Sequence, residues 1–204
     1  MISHQHKFIF IHIPKTGGTS IEKFFGKNMD HEIDKHYNLN KYYSSPDYNK
    51  NIISNYYKFA FVRNPWSLMF SCYNYCVKFG LINCSFEDFC FRKYDEQLKK
   101  DINKRGWDNG IPNLLEFGQL FWTVNESDFD FIGKFETLQK SFDFVYDSLK
   151  LNGVELPNSK QLPHNNFTQK EVDPYYYRKF YTKQTKDVIF QRFESEIDYF
   201  NYEF

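Results

Sequence analysis

The run Lys15-Thr16-Gly17-Gly18-Thr19-Ser20 places one cation, two adjacent glycines and three hydroxyls in six consecutive residues. Paired glycines let the backbone turn sharply and let a ligand come close to it. A helix starting at Thr19 or Ser20 has first-turn N–H groups without intrahelical acceptors, and these can bind an anion. Lysine adds a compact, mobile point charge able to follow a leaving oxygen. The pattern is not a Walker A loop, because its lysine precedes the glycines. Nor does it carry the Gly-x-Gly-x-x-Gly of dinucleotide sites. It reads as a cradle for a terminal phosphate, with Pro14 closing the segment before it. A second constellation is Arg63 followed by Ser71, about two helical turns further on. An arginine fork with a hydroxyl suits a second phosphate.

Both constellations need strand ends to hold them. Residues 8–13 (Phe-Ile-Phe-Ile-His-Ile) form a short apolar run that reads as a buried strand, which Pro14 ends. Ile21, Phe24 and Phe25 give the following helix an apolar side. Residues 28–58 form a long polar, tyrosine-rich connection with a turn signal at Ser44-Ser45-Pro46-Asp47. Residues 57–62 (Tyr-Lys-Phe-Ala-Phe-Val) make a second strand, and Pro65 suits the first turn of a helix that continues over 67–79. Arg63 then sits at a strand end, where open α/β sheets place their ligand crevice. Further on, helical spacing covers 86–100 with Phe89 and Tyr94 inward. A loop is expected at 104–112, and 114–123 fits helix and strand equally. Residues 130–133 read as an edge strand, 137–151 as an amphipathic helix stopped by Gly153, 160–170 as a polar loop, and 183–200 as a tail helix. Strands separated by helices predict an α/β fold: one domain over residues 1–204, three layers, with a mainly parallel sheet.

Composition narrows the partners. The 26 basic and 26 acidic side chains cancel, so there is no global case for nucleic-acid binding. Aromatics reach 21%, with 24 Phe for a core and 16 Tyr suited to core edges or a groove. No apolar stretch is long enough for a membrane span. The chain enters its first strand without a signal-peptide pattern, which points to a cytoplasmic setting unless an N-terminal anchor precedes it. Cys72, Cys76, Cys84 and Cys90 lack the second close Cys or His pair of a zinc site and are expected as reduced, mostly buried thiols. No metal is expected.

Taken together, Ile13-Pro-Lys-Thr-Gly-Gly-Thr-Ser20, Phe59-Ala-Phe-Val-Arg-Asn-Pro-Trp66 with Ser71, Asp130-Phe-Ile-Gly-Lys-Phe-Glu136 with Leu138, Leu162-Pro-His-Asn165 and Tyr199-Phe-Asn-Tyr-Glu-Phe204 resemble the sulfotransferases that use 3'-phosphoadenosine-5'-phosphosulfate (PAPS), in particular the small carbohydrate type. The matches are ordered and run nearly end to end. The resemblance implies a P-loop-kinase-like parallel sheet, PAPS as cosubstrate, and transfer of a sulfuryl group to a glycan hydroxyl. It places Pro14, Lys15, Thr16, Gly17, Gly18, Thr19 and Ser20 on the 5' phosphosulfate and Arg63 and Ser71 on the 3' phosphate. Lys134 departs from it, standing where arginine is common, and keeps the charge without the bidentate fork.

Sulfuryl transfer needs an aligned acceptor oxygen, a group that takes its proton, and positive charge at the leaving phosphate oxygen. Lys15 and the loop N–H groups fit the last role. The base is sought among His12, His31, Glu32, His36 and His164. His36 is preferred, because it resembles the Lys-His segment of related enzymes; Glu32 is the reserve. His12 also reads as a hydrogen-bonded core residue, His31 as an exposed one, and His164 as a loop-positioning residue. On the acceptor side, Glu32, Trp107, His164 and Tyr175 are candidate contacts. The basic run Lys99, Lys100, Lys104 and Arg105 fits either an anionic glycan or a solvated helix end. Two other classes use the same residues. One is a P-loop-type phosphotransferase using ATP, which lacks its Gly-Lys-Ser/Thr and acidic Mg²⁺ strand end here. The other is an inactive glycan-binding module that keeps the nucleotide site.

Overall fold

The structure is a computed structural model, and it describes residues 1–26, 36–94, 110–123, 126–163 and 173–204. Glu32, His31, Trp107, His164 and the Lys99 to Arg105 basic run lie outside the described residues. The chain divides into two compact units, Met1–Val62 with Gln119–Thr168, and Arg63–Gly118 with Gln169–Phe204.

The first unit is built on a four-stranded sheet: β1 (Ile2–Ser3), β2 (Phe8–Ile11), β3 (Tyr57–Val62) and β4 (Phe131–Lys134), in the order β1-β2-β3-β4. β1 runs antiparallel to β2, and the other two pairings are parallel. β3 has the bounds its sequence predicts, and β4 is an edge strand as expected. β2 is shorter than predicted. Ile13 N turns back to Ile11 O at 3.2 Å, so His12 and Ile13 have left the ladder. The mixed α/β class and the mainly parallel sheet follow from the long crossovers that parallel neighbours require.

Side chains alternate across the pleat, so Phe8 and Phe10 share a face with Phe59 and Phe61. On that face lie α1 (Gly18–Phe25) and a later helix, Leu138–Leu151, which contribute Ile21, Phe25, Phe142, Val145, Tyr146 and Leu149 to one core. Phe10 and Phe59 stack with ring centroids 5.0 Å apart. The unit also holds two short helices within the tyrosine-rich connection, α2 (Leu39–Ser44) and α3 (Lys50–Ile53). Asp130 pins the edge: its carboxylate accepts from Lys58 N at 2.7 Å, while its own N–H donates to Lys58 O at 2.9 Å.

The second unit is helical. α4 (Pro65–Lys78) begins with Pro65 at its first turn, and the Asn64 side chain caps it by accepting from Trp66 N and Ser67 N. Of the helix expected over 86–100, α5 covers Phe86–Cys90 and residues 91–94 form a turn, while 95–100 lie outside the described residues. Arg92 takes a left-handed φ of 62°, with Arg92 N on Phe89 O and Lys93 N on Asp88 O, which closes the helix in a Schellman turn. Phe89 and Tyr94 are nonetheless buried as predicted. The ambiguous stretch is helical: α6 (Gly110–Phe117) starts inside the expected 104–112 loop. After the left-handed Gly118, α7 (Leu120–Thr123) belongs to the first unit. The helix at 138–151 is α8, and the tail helix is α9 (Lys183–Tyr199), bent where Phe193 leaves helical geometry. Among the described residues no helix is long and apolar enough to cross a membrane.

All four cysteines are free; Cys72, Cys76 and Cys90 are buried. Burial pushes the Cys90 thiol from 9.0 up to about 12, and it raises the Tyr181 phenol well above its ordinary 10.0. Both groups stay protonated in the folded chain after the unfolded chain has begun to lose those protons. Their stabilisation is present below pH 9 and declines as pH rises toward about 12. The urea midpoint is therefore expected to fall between pH 8.5 and roughly 11. A flat midpoint across that range would contradict the burial of these two groups.

Candidate active site

The loop after β2 is shaped by two left-handed residues, Lys15 at φ 67° and Gly17 at φ 92°. Between them Thr16 is fully buried, and its hydroxyl donates to Ile13 O at 2.8 Å. That bond staples the turn, so Thr19 and Ser20, both half-buried, are the loop's outer hydroxyls. Gly17 stands at the N-cap of α1 with no side-chain cap bond, and Ser20 N donates to Gly17 O at 2.9 Å. The N-terminus of α1 supplies donor groups and the positive end of the helix dipole. Pro14 is buried behind the loop, and Lys15 is half-buried.

The two glycines are fixed by different neighbours. A Cβ on Gly17 would stand 2.5 Å from Leu138 Cδ2 and 3.3 Å from Phe135 Cδ2. A Cβ on Gly18 would stand 2.0 Å from His12 Nε2. The distal segment that runs through Phe135 and Leu138 therefore acts here, as the wall against which the loop closes.

His12 is buried, its ring stacked on Phe10 with centroids 5.6 Å apart. Its Nδ1 lies 3.0 Å from Glu22 Oε1, off the line of an ideal hydrogen bond. His36 sits over it, ring centroids 4.7 Å apart, and His36 Nδ1 is 2.8 Å from His12 O. A carbonyl oxygen only accepts, so His36 Nδ1 carries the hydrogen. In its neutral form the ring then holds its lone pair on Nε2, the form a general base needs. Trp122 Nε1 donates to His36 O at 2.9 Å and holds the backbone there from α7.

In the second unit Arg63 is the first residue past β3. Its Nε donates to Ser67 Oγ at 3.0 Å. Ser67 and Ser71 are four apart on α4 and share a face. Ser71 is half-buried. Spacing alone pointed to Arg63 and Ser71 but not to Ser67, although the intervals of four from 63 to 67 to 71 were its available signal. Tyr175 is exposed, and the Arg178 guanidinium lies 4.0 Å from its ring centroid. Tyr177 packs inward on Phe204, so the Tyr175 to Tyr177 run splits between surface and core.

A family model described as Sulfotransferase family matches residues 1–203 of the chain. No curated protein and no solved structure matches it.

The Gly18 contact makes a direct test. In Gly18→Ala the new methyl must displace the His12 ring, an overpacking expected to cost about 1–3 kcal/mol in urea unfolding. An unchanged midpoint would show that the ring does not sit where it is placed here.

Proposed function

Because the chain belongs to the sulfotransferase family, we propose that it moves a sulfuryl group from PAPS to a carbohydrate hydroxyl. We further propose that residues 1–204 act as one sulfotransferase domain with P-loop-kinase-like layering. What supports the reading is that β2 and β3 are adjacent parallel strands and that each leads into a candidate anion-binding element. After β2 come Lys15 and the N-terminus of α1; after β3 comes Arg63, with Ser67 and Ser71 on the helix that follows. A nucleotide carrying phosphate groups at both 5' and 3' positions uses both elements, whereas ATP offers no 3' phosphate for the second.

PAPS, when bound, supplies the sulfuryl group on a phosphate leaving group. In the proposed mechanism Gly17, Gly18, Thr19 and Ser20 hold the 5' end through loop N–H groups and hydroxyls. Thr16 takes part through the backbone that its side chain staples. His36 Nε2 accepts the proton of the attacking hydroxyl as the new S–O bond forms. Lys15 neutralises the phosphate oxygen that leaves as the old S–O bond breaks. The loop donors do the same work in a fixed geometry, at no cost of reorganisation. Arg63 binds the 3' phosphate through its fork, oriented by Ser67 at its Nε, and Ser71 adds a hydroxyl. No step calls for a metal. Glu32, Trp107, His164 and Tyr175 remain proposed acceptor contacts.

Binding of 3'-phosphoadenosine-5'-phosphate, followed by calorimetry, tests the nucleotide reading. Arg63→Ala is expected to weaken it about 10–100-fold, the range of a charge-assisted hydrogen bond or two. Absence of saturable binding, tighter binding of ATP, or an indifferent Arg63→Ala would overturn it.

The base is tested separately. With an acceptor in hand, His36→Ala should lower kcat by about 10²–10⁴-fold while leaving nucleotide affinity nearly unchanged. Wild-type turnover in that variant rejects the assignment. Tight nucleotide binding without transfer across a broad panel of hydroxyl acceptors points instead to an inactive binding module.

A further inference from the structure

We infer that Glu22 and His12 form a positioning pair that holds His36 in its base-competent tautomer, an inference that rests on the reading of His36 as the proton acceptor. Three elements meet here within the first unit. His12 sits in the turn after β2, Glu22 on the second turn of α1, and His36 just before α2. Glu22 Oε1 lies 3.0 Å from His12 Nδ1, on one edge of a buried ring. On the opposite edge, His12 Nε2 abuts Gly18, where no side chain fits beside it. Phe10 lies 5.6 Å away, with the two rings nearly parallel. The imidazole is thus flanked by a carboxyl group, a backbone and an aromatic ring.

His36 depends on that fixture in two ways. Its ring packs on the His12 ring, with centroids 4.7 Å apart and planes inclined by 47°. Its Nδ1 donates to the His12 carbonyl at 2.8 Å. A shift of the His12 residue moves both the surface that supports His36 and the acceptor that keeps hydrogen on Nδ1. Without that acceptor, the imidazole is released to its other tautomer, in which Nε2 carries the hydrogen and has no lone pair for a substrate hydroxyl. A purely structural role for the pair would give Glu22 no influence on the tautomer of a third residue. The geometry gives it one, because the tautomer is set by the His12 carbonyl.

Glu22 is also the better handle. It is partly exposed, with a side chain 21% accessible, whereas His12 is 6% accessible. Glu22→Gln keeps an oxygen acceptor opposite His12 Nδ1, and Glu22→Ala removes it. Breaking a buried or half-buried pair on one side leaves the other group uncompensated, so the alanine variant is expected to be the more disturbed.

The experiment uses the intact protein with ¹⁵N-labelled histidine and long-range ¹H–¹⁵N spectra, which report the tautomer of His36 without needing an acceptor. The wild type and Glu22→Gln are expected to show the Nδ1–H form, and Glu22→Ala a mixture or the Nε2–H form. In turnover, Glu22→Ala should lose about tenfold or more in kcat, with binding of 3'-phosphoadenosine-5'-phosphate within threefold of wild type. Glu22→Gln should regain most of that loss. Should Glu22→Ala fail to fold, Glu22→Gln and Glu22→Asp carry the test, since only Asp withdraws the acceptor by one methylene. A His36 tautomer identical in the wild type and in the Ala or Asp variant overturns the inference. So does a kcat loss matched by an equal loss of nucleotide affinity, which would assign Glu22 to the phosphate loop. Failure of the parent reading is told apart by His36→Ala: wild-type turnover there rejects the base, whatever Glu22 does to the tautomer.

Discussion

The His12 imidazole fills the space that a side chain at residue 18 would need, and the loop takes its shape around that fact. Residue 18 must be glycine for the helix to start this close to the strand end. Gly17 must be glycine for a second reason, since its left-handed φ brings it under Leu138 and Phe135. The loop is therefore clamped between a ring beneath α1 and the start of α8. A left-handed, non-glycine Lys15 is tolerated within that clamp. Strain of this kind persists where the surroundings over-determine the backbone.

The sheet provides the frame. Parallel pairing of β2 with β3 sets Ile11 beside Ala60, so both strands finish on the same side of the sheet. Asp130 fixes the far neighbour by bonding Lys58 on two sides, and β4 then delivers Phe135 and Leu138 to the loop wall. In the helical unit a different device fixes the start of α4. Asn64 caps that helix with its carbonyl oxygen and donates from its amide to Glu203 O at 2.7 Å. Tyr181 donates to Trp66 O, and Trp66 donates to Lys186 O. Phe204 stands edge-on to Trp66, Tyr177 and Tyr181. The last residues of the chain thus brace the helix turn from which Ser67 orients Arg63.

Local chemistry explains what the sequence made legible. β3 was readable to the residue because an apolar run ends at Arg63-Asn64-Pro65, where a cap and a proline leave no other helix start. α8 was readable because Phe142, Val145, Tyr146 and Leu149 repeat at helical spacing onto one core. The two candidate anion elements rest on residue type, and what the structure adds is their place after adjacent parallel strands. Features that depend on partners distant in sequence were not. β1 is two residues long and exists only because Ile9 and Phe8 are there to pair with it. α5 stops at Cys90 through a Schellman turn at Arg92, a residue type that gives no stop signal. The contact of His12 with Glu22 joins a turn to a helix and matches no period. The role of Thr16 was blurred for a related reason: its hydroxyl type suited an anion, and only the fold shows that it bonds inward.

Lys134 illustrates how a departure from the family-like pattern can be absorbed. What the structure shows this segment giving the site is shape. Phe135 and Leu138 press on Gly17, and the Lys134 carbonyl accepts from Ser141 Oγ at 3.2 Å, which ties the strand end to α8. Both contributions come from the backbone and from apolar side chains, and neither changes if the cation is lysine or arginine. A fork-specific role for this position would have required a planar, bidentate partner, which lysine cannot serve. The constraint that does hold is steric: Gly133 has no room for a Cβ, which would lie within 2.9 Å of Phe131, Ser141 and Phe61. The segment is therefore held by close packing on both sides of Lys134, and close packing is what places the loop wall.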